Sequence, residues 1–200
     1  MDSGRGARPV MAEPADATSD EGNLVRQAQA GDAEAFGRLV TRYMRPAYFA
    51  ALGLVGSRED ALDLSQEAFA RAFRARRTLD PERPFYPWCY AILRRLCFNF
   101  LRDRRRRARK LEEGAGWLEA QSAAQFEDPA RAAERREDQR RVADALAALP
   151  DHDREVLVLK EFEGLKYREI AVLVGVPMGT VMSRLYAARQ RLAAVLEGER

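Results

Sequence analysis

At 200 residues with 46% hydrophobic content, the chain has room for one large or two small domains and enough apolar side chain to bury a core, which excludes fibrous, collagen-like and wholly disordered architectures. No run approaches the roughly 20 consecutive apolar residues of a membrane span, and the first thirty residues hold no hydrophobic block of the signal-peptide kind. No membrane insertion and a cytoplasmic location are therefore expected. The formal net charge is only +3, yet nine basic residues lie between Trp88 and Lys110 against Asp103 alone, so the rest of the chain is net acidic.

In chain order, residues 1–22 are rich in Gly, Pro, Ala, Asp and Ser without periodicity, and a disordered lead-in is expected there. A helical domain is predicted over 23–106. Asp32 can cap a helix in which Phe36, Leu39, Val40 and Tyr43 recur at helical spacing, with a kink expected at Pro46. Ser57 can cap a second helix that buries Ala61, Leu64, Ala68 and Ala72 beside Phe69 and Phe73. Three prolines between Thr78 and Pro87 predict a loop. The third helix then carries an apolar stripe of Cys89, Ile92, Leu93, Leu96, Cys97, Phe100 and Leu101. Its cysteines, eight positions apart on a helix, stand about 12 Å from each other and cannot form a disulfide. Both read as reduced core residues.

Gly114, Gly116 and Pro129, in a stretch that turns acidic, predict a flexible linker of partly helical character over 107–133. A second helical domain is predicted over 134–196: Val142, Leu146 and Leu149 in its first helix, Val156, Leu157 and Phe162 in its second. A short helix over Tyr167–Val174, a turn of Gly175, Val176 and Pro177, and a longer helix from Met178 follow the helix-turn-helix pattern. The fold class expected is all-α, two small domains.

On the third helix, Arg95, Asn99, Arg102 and Arg106 fall within about 40° of Trp88 at 100° per residue. Phe85 and Tyr86 precede that face, and Tyr90 lies one turn in. Aromatic rings beside cations suit an unpaired nucleic-acid strand, since every base offers a stacking face and every phosphate a charge. The competing reading is that these aromatics are core residues beneath a Pro-rich loop. In the last helix Val181, Leu185, Ala188 and Leu192 form a core stripe, leaving Thr180, Ser183, Arg184, Tyr186, Ala187 and Gln190 outside it, where the amino-terminal turns of such a helix enter the major groove. A plain helical bundle with a polar outer face competes with that. No paired-Cys zinc spacing, phosphate loop or partnered nucleophile occurs, and His152 is the only histidine. The sequence argues against an enzyme and calls for no metal, cofactor or small-molecule substrate.

Three stretches together resemble the extracytoplasmic-function sigma factors of bacterial RNA polymerase. Asp60-Ala61-Leu62-Asp63-Leu64-Ser65-Gln66-Glu67-Ala68-Phe69 is similar to the family's polymerase-binding helix. Phe85 through Ile92, continuing past Asn99 to Arg106, is similar to the segment that melts and reads the −10 element. Leu165 through Ala171 and Val176 through Leu185 are similar to the −35 reader. The resemblance implies a sigma factor whose partners are core RNA polymerase, promoter DNA and an anti-sigma factor. It implies polymerase contacts at Asp60, Asp63, Leu64, Gln66 and Glu67. The −10 contacts implied are Phe85, Tyr86, Trp88, Arg95, Asn99, Arg102 and Arg106, and the −35 contacts Thr180, Ser183, Arg184, Tyr186 and Arg189. Leu62, Cys89, Arg95, Met182, Ala187 and Lys166 depart from the usual family residues; Lys166 stands where a Ser or Thr cap is frequent, predicting a less firmly anchored helix. Two rival functions stay open at this point: a stand-alone helix-turn-helix regulator, and an adaptor whose basic face binds RNA or an acidic partner.

Overall fold

The computed structural model describes residues 16–112, 142 and 144–198. The elements are α1 (Asp16–Gln29), α2 (Ala33–Val55), α3 (Arg58–Ala75), a 3₁₀ turn (Arg76–Thr78), α4 (Phe85–Glu112), α5 (Asp151–Glu161), α6 (Tyr167–Val174) and α7 (Met178–Gly198). Residues 144–147 are helical as well, and no strand occurs among the described residues.

Local signals set the boundaries. The Asp32 carboxylate accepts the backbone N–H groups of Glu34 at 2.9 Å and Ala35 at 3.1 Å, and the Ser57 hydroxyl accepts that of Asp60 at 3.3 Å, so α2 and α3 start at the caps legible in the sequence. α2 remains one helix through Pro46. The stripe expected on α4 is buried at Cys89, Leu93, Leu96, Cys97 and Leu101, with Ile92 and Phe100 partly so. Both cysteines are free, and burial pushes each thiol up to about 12, far from the thiolate that reactivity needs.

The boundaries differ from expectation in three places. Residues 16–22, assigned to the lead-in, belong to α1, and Glu21 is buried; residues 1–15 lie outside the described residues. α4 continues to Glu112, six residues into the expected linker, whose remainder from 113 also lies outside the described residues. The loop ends earlier than predicted: Phe85, Tyr86 and Pro87 form the first turn of α4, where a proline's missing N–H costs nothing.

That early start has a cause 64 residues away. The Glu21 carboxylate accepts the Phe85 backbone N–H at 2.6 Å, and its other oxygen accepts the Tyr43 hydroxyl. An anionic group is thus held at the positive end of a 28-residue helix. Around it the aromatic core closes: Phe36, Tyr43, Phe69 and Trp88 all lie with ring centroids 5.7–6.5 Å from Phe85.

The second domain packs Leu146, Leu149, Leu157 and Leu159 against Ile170, Leu173, Val181, Leu185 and Ala188. Leu149 sits just beyond the helical residues 144–147; Val142 and Phe162, placed in helices by the sequence, are 44% and 54% exposed, the latter capping α5. α5 is buried over seven consecutive residues, Asp153–Leu159, two full turns with no solvent face. A helix buried all round is a core helix of the whole molecule, and α5 indeed lies between its own domain and the first.

Glu21→Ala leaves the Phe85 N–H and the Tyr43 hydroxyl without an acceptor and lowers stability by about 1–3 kcal/mol. Urea titration should show a lower midpoint with an unchanged slope, and Glu21→Gln, which keeps an acceptor oxygen, should lose less. An unshifted midpoint for the alanine variant contradicts the capping role.

Candidate nucleic-acid and polymerase interface

Three groups of side chains with surface chemistry stand on rigid helices. On α3, Asp63 and Gln66 are exposed, Asp60, Leu64 and Glu67 half-buried, and Leu62 is 45% exposed between them. Glu67 accepts a bond from Arg71 Nε at 2.7 Å, which lowers its carboxyl pKa, and Arg74 stands at 3.8 Å. Asp63 and Gln66 are therefore the freer polar groups of this edge.

On α4 the buried stripe turns the opposite side outward. Arg95, Arg102 and Arg106 are exposed, with Trp88 and Asn99 half-buried along the same line. The basic run is not uniform. Arg94 and Arg105 reach α5, and Arg104 caps the Val55 carbonyl at 3.2 Å. Arg95 and Arg106 make no ion pair among the described residues, and Arg102 makes a long one of 3.4 Å with its neighbour Asp103.

Two of the sequence-predicted −10 residues lie elsewhere. Phe85 is 0% exposed and serves the core, its ring tilted against Trp88 at a centroid distance of 5.9 Å, so it supports the tryptophan rather than facing outward. Tyr86 is 5% exposed, stacked on Tyr43 at 5.2 Å. Its hydroxyl is buried without a hydrogen-bond partner, and burial followed by the nearby Glu163 carboxylate raises its pKa. Burial also pushes Glu163 up to about 7. The pairing of an aromatic with cations at helical spacing is legible in a sequence; which aromatic faces the core is not.

In the second domain α6 and α7 meet at 103°, within the range of a DNA-reading helix-turn-helix. Gly175 makes the turn with φ 73° and ψ 37°, donating its N–H to the Ala171 carbonyl at 3.0 Å. The start of α6 is anchored by one half of a capping box: the Glu169 carboxylate accepts the Lys166 N–H at 2.5 Å, while an ammonium has no lone pair to return the bond. Along α7, Ser183 and Tyr186 are exposed, the latter at 69%, and Thr180 and Arg184 are half-buried. Arg189 is exposed but paired with Glu161 at 2.6 Å. Met178 and Met182 add exposed apolar surface on the same helix.

The two domains touch through residues that the sequence reading passed over. Glu155, 0% exposed, accepts the Tyr90 hydroxyl at 2.9 Å and both Nε and Nη2 of Arg94 at 2.6 and 3.0 Å. Arg105 pairs with Asp151 through two bonds of 2.9 and 2.6 Å. His152 is exposed and packs edge-on against Phe98 at 5.4 Å. Gly53 of α2 lies so near Val158 that a Cβ there would meet Cγ1 at 2.5 Å. Nothing in the local patterns around Gly53, Glu21 or Glu155 marks them, since their partners are distant in sequence. No cluster of metal-ligating side chains occurs among the described residues.

A basic, aromatic-led helix face in one domain and a helix-turn-helix in the other define a two-domain, all-helical DNA-binding protein. Residues 39–107 match the family model described as Sigma-70 region 2, and residues 139–192 that of Sigma-70, region 4. The chain is 35% identical over 178 residues to the RNA polymerase sigma-H factor of Pseudomonas aeruginosa, covering 87% of this chain and 92% of that one. It is 31% identical over 173 residues to the ECF RNA polymerase sigma-E factor of Escherichia coli K12, covering 84% and 90%. The solved structure of CnrH in complex with the cytosolic domain of CnrY aligns with a TM-score of 0.68 at 28% identity, over 90% of this chain and 99% of that one. The sigma factor RpoE in complex with the anti-sigma factor NepR from Bartonella quintana shares the fold, with a TM-score of 0.61 at 24% identity over 84% of this chain and all of that one. The chain belongs to the sigma-70 family, in its extracytoplasmic-function group. It is a transcription initiation factor that binds core RNA polymerase and promoter DNA, its region 2 and region 4 domains serving the −10 and −35 elements, and the stand-alone regulator is set aside.

Gly175→Ala forces a side chain into the left-handed region although nothing lies within 4 Å of the added Cβ, so its cost is that of the backbone alone. A loss of about 1–2 kcal/mol is expected in thermal unfolding, and a smaller one for Gly175→Asn. Equal melting of wild type and alanine variant contradicts the strained turn.

Proposed function

We propose a division of labour among these surfaces. The α3 edge of Asp60, Asp63, Leu64, Gln66 and Glu67 grips core polymerase, with Asp63 and Gln66 leading because Glu67 is already engaged by Arg71. Thr180, Ser183, Arg184 and Tyr186 on α7 meet the −35 duplex, and Arg189 joins them on release from Glu161. Trp88, Arg95, Asn99, Arg102 and Arg106 take the separated −10 strand. Phe85 acts by backing Trp88, and Tyr86 joins only where its cover is removed. The protein works in the cytoplasm without a catalytic centre of its own. The anti-sigma factor bound to the similar RpoE supports a partner of that kind here.

The observation that carries this reading is the outward face of α4, where a half-buried tryptophan is followed by three exposed arginines on a side distinct from the core-facing stripe of Cys89, Leu93, Leu96, Cys97 and Leu101. Stacking contributes about 1–3 kcal/mol per base and extruding a base costs a few kcal/mol, so one or two captured bases offset the opening of a short bubble. The arginines neutralise phosphates, a term that is independent of sequence and weakens with salt.

The test is Trp88→Ala in the polymerase complex. Loss of one stacked base at about 1–3 kcal/mol means roughly five- to 150-fold weaker strand opening. Permanganate reactivity of −10 thymines should fall by that factor while binding to core polymerase is retained. Equal loss of both steps contradicts the assignment.

A further inference from the structure

The first turns of α7 carry a line of exposed apolar side chains, two of which have no part in the contacts assigned so far. Met178, Met182 and Tyr186 are 43%, 50% and 69% exposed and recur at every fourth residue. At about 100° per residue the three stay within about 80° of one another, and successive members stand about 6 Å apart along the axis. Val181, Leu185 and Ala188 turn the other way into the domain core, which fixes the rotation of the helix and points the line outward. Single exposed apolar residues are ordinary on a protein surface, but a row of them along a DNA-reading helix meets one particular chemical environment.

The polar groups along the same stretch are largely engaged within the protein. The Ser183 hydroxyl donates to the Thr180 carbonyl at 3.0 Å. Arg189 pairs with Glu161 at 2.6 Å, and Arg191 pairs with Asp153. Arg184 is half-buried, its Nη1 enclosed without a hydrogen-bond partner, and Ala187 offers no polar group at all. Hydrogen-bond donors are therefore sparse on the line that faces outward. In the major groove the base edges present donors, acceptors and one methyl group, the C5 methyl of thymine. A flexible, polarisable methionine suits such a group because it can close on it without demanding a single geometry.

We propose that Met182, flanked by Met178 and Tyr186, is a specificity-determining residue of the −35 reader, selecting A·T pairs through contact with the thymine C5 methyl. The inference rests on the −35 reading of α7 above and deepens it. Met182 stands in the second turn of α7, within the amino-terminal part of the helix that reaches base edges in such a motif. Met178 and Tyr186, about 6 Å to either side, extend the apolar cover by close to the rise of two base pairs at about 3.4 Å each. Recognition here works by removing water from two apolar surfaces, so it is insensitive to salt, unlike a phosphate contact.

The experiment uses holoenzyme assembled from core RNA polymerase and the full-length chain. A promoter library randomised across the −35 region gives the preferred duplex, and each of its thymines is then replaced singly by deoxyuridine, which keeps every hydrogen-bonding group and removes only the methyl. At one thymine at least, wild-type holoenzyme should bind the uracil duplex about three- to fivefold more weakly, the contribution of one buried methyl. Met182→Ala, at an exposed position outside the core, should bind the thymine duplex more weakly by a similar factor and lose the distinction between thymine and uracil there. It should keep wild-type salt dependence and wild-type affinity for core polymerase, and Met182→Leu, still apolar, should keep the distinction. Indifference of the wild type to every replacement, or an undiminished thymine preference in Met182→Ala, overturns the assignment while leaving the −35 reading intact. A loss of core-polymerase affinity in Met182→Ala also overturns it, since the line is then a protein-docking surface. A wild-type holoenzyme that selects no −35 sequence at all overturns the −35 reading of α7 and this inference with it.

Discussion

A helix with 3.6 residues per turn has a limited circumference, and α4 uses all of it. At about 100° per residue, Cys89, Leu93, Leu96 and Cys97 occupy one side, Tyr90, Arg94, Phe98 and Arg105 the next, and Trp88, Arg95, Asn99, Arg102 and Arg106 the third. The first side is buried in the region 2 core, the second meets α5, and the third faces outward. The geometry of every other part follows from this allocation. The outward side can carry arginines in a row only because the buried stripe fixes the rotation of the helix, and the contact with region 4 can form only because the second side carries matched polar groups.

Two buried carboxylates hold that rod in place. Glu21 closes its amino terminus from the first helix, and Glu155 ties its flank to the second domain. Their energetic characters differ. Glu21 meets backbone and hydroxyl donors that are permanently within one domain, so its bonds belong to the folded state of region 2. Glu155 is paired across the contact between the domains, where the cost of burying carboxylate and guanidinium is offset by the bonds to Tyr90 and Arg94. The run of basic residues is divided accordingly: Arg94, Arg104 and Arg105 are spent on internal bonds, and the exposed Arg95, Arg102 and Arg106 face solvent.

Much of the fold was legible in the sequence because its signals are local. Asp32 and Ser57 cap the helices expected of them, Gly175 turns between α6 and α7, and the α4 stripe is buried where its period places it. The errors have one physical origin, which is that local patterns do not report distant partners. Phe85 and Tyr86 read as a loop because three prolines flank them, yet a carboxylate 64 residues upstream starts the helix there and the surrounding aromatics draw both rings inward. Glu21 itself sat in a stretch whose composition suggests no structure. On the candidate site, the spacing of Trp88 and the arginines identified a face, but nothing local separated Arg95, which stays exposed, from Arg94, which is claimed by Glu155.

The central claim is that this chain redirects a polymerase rather than catalysing or repressing by itself. Run-off transcription with purified core RNA polymerase, on a template carrying the DNA upstream of the chain's own gene, tests it most directly. The account predicts a transcript with a single defined 5′ end that appears only when both proteins are present. A start-site pattern identical to that of core polymerase alone, with the chain demonstrably folded, would contradict it.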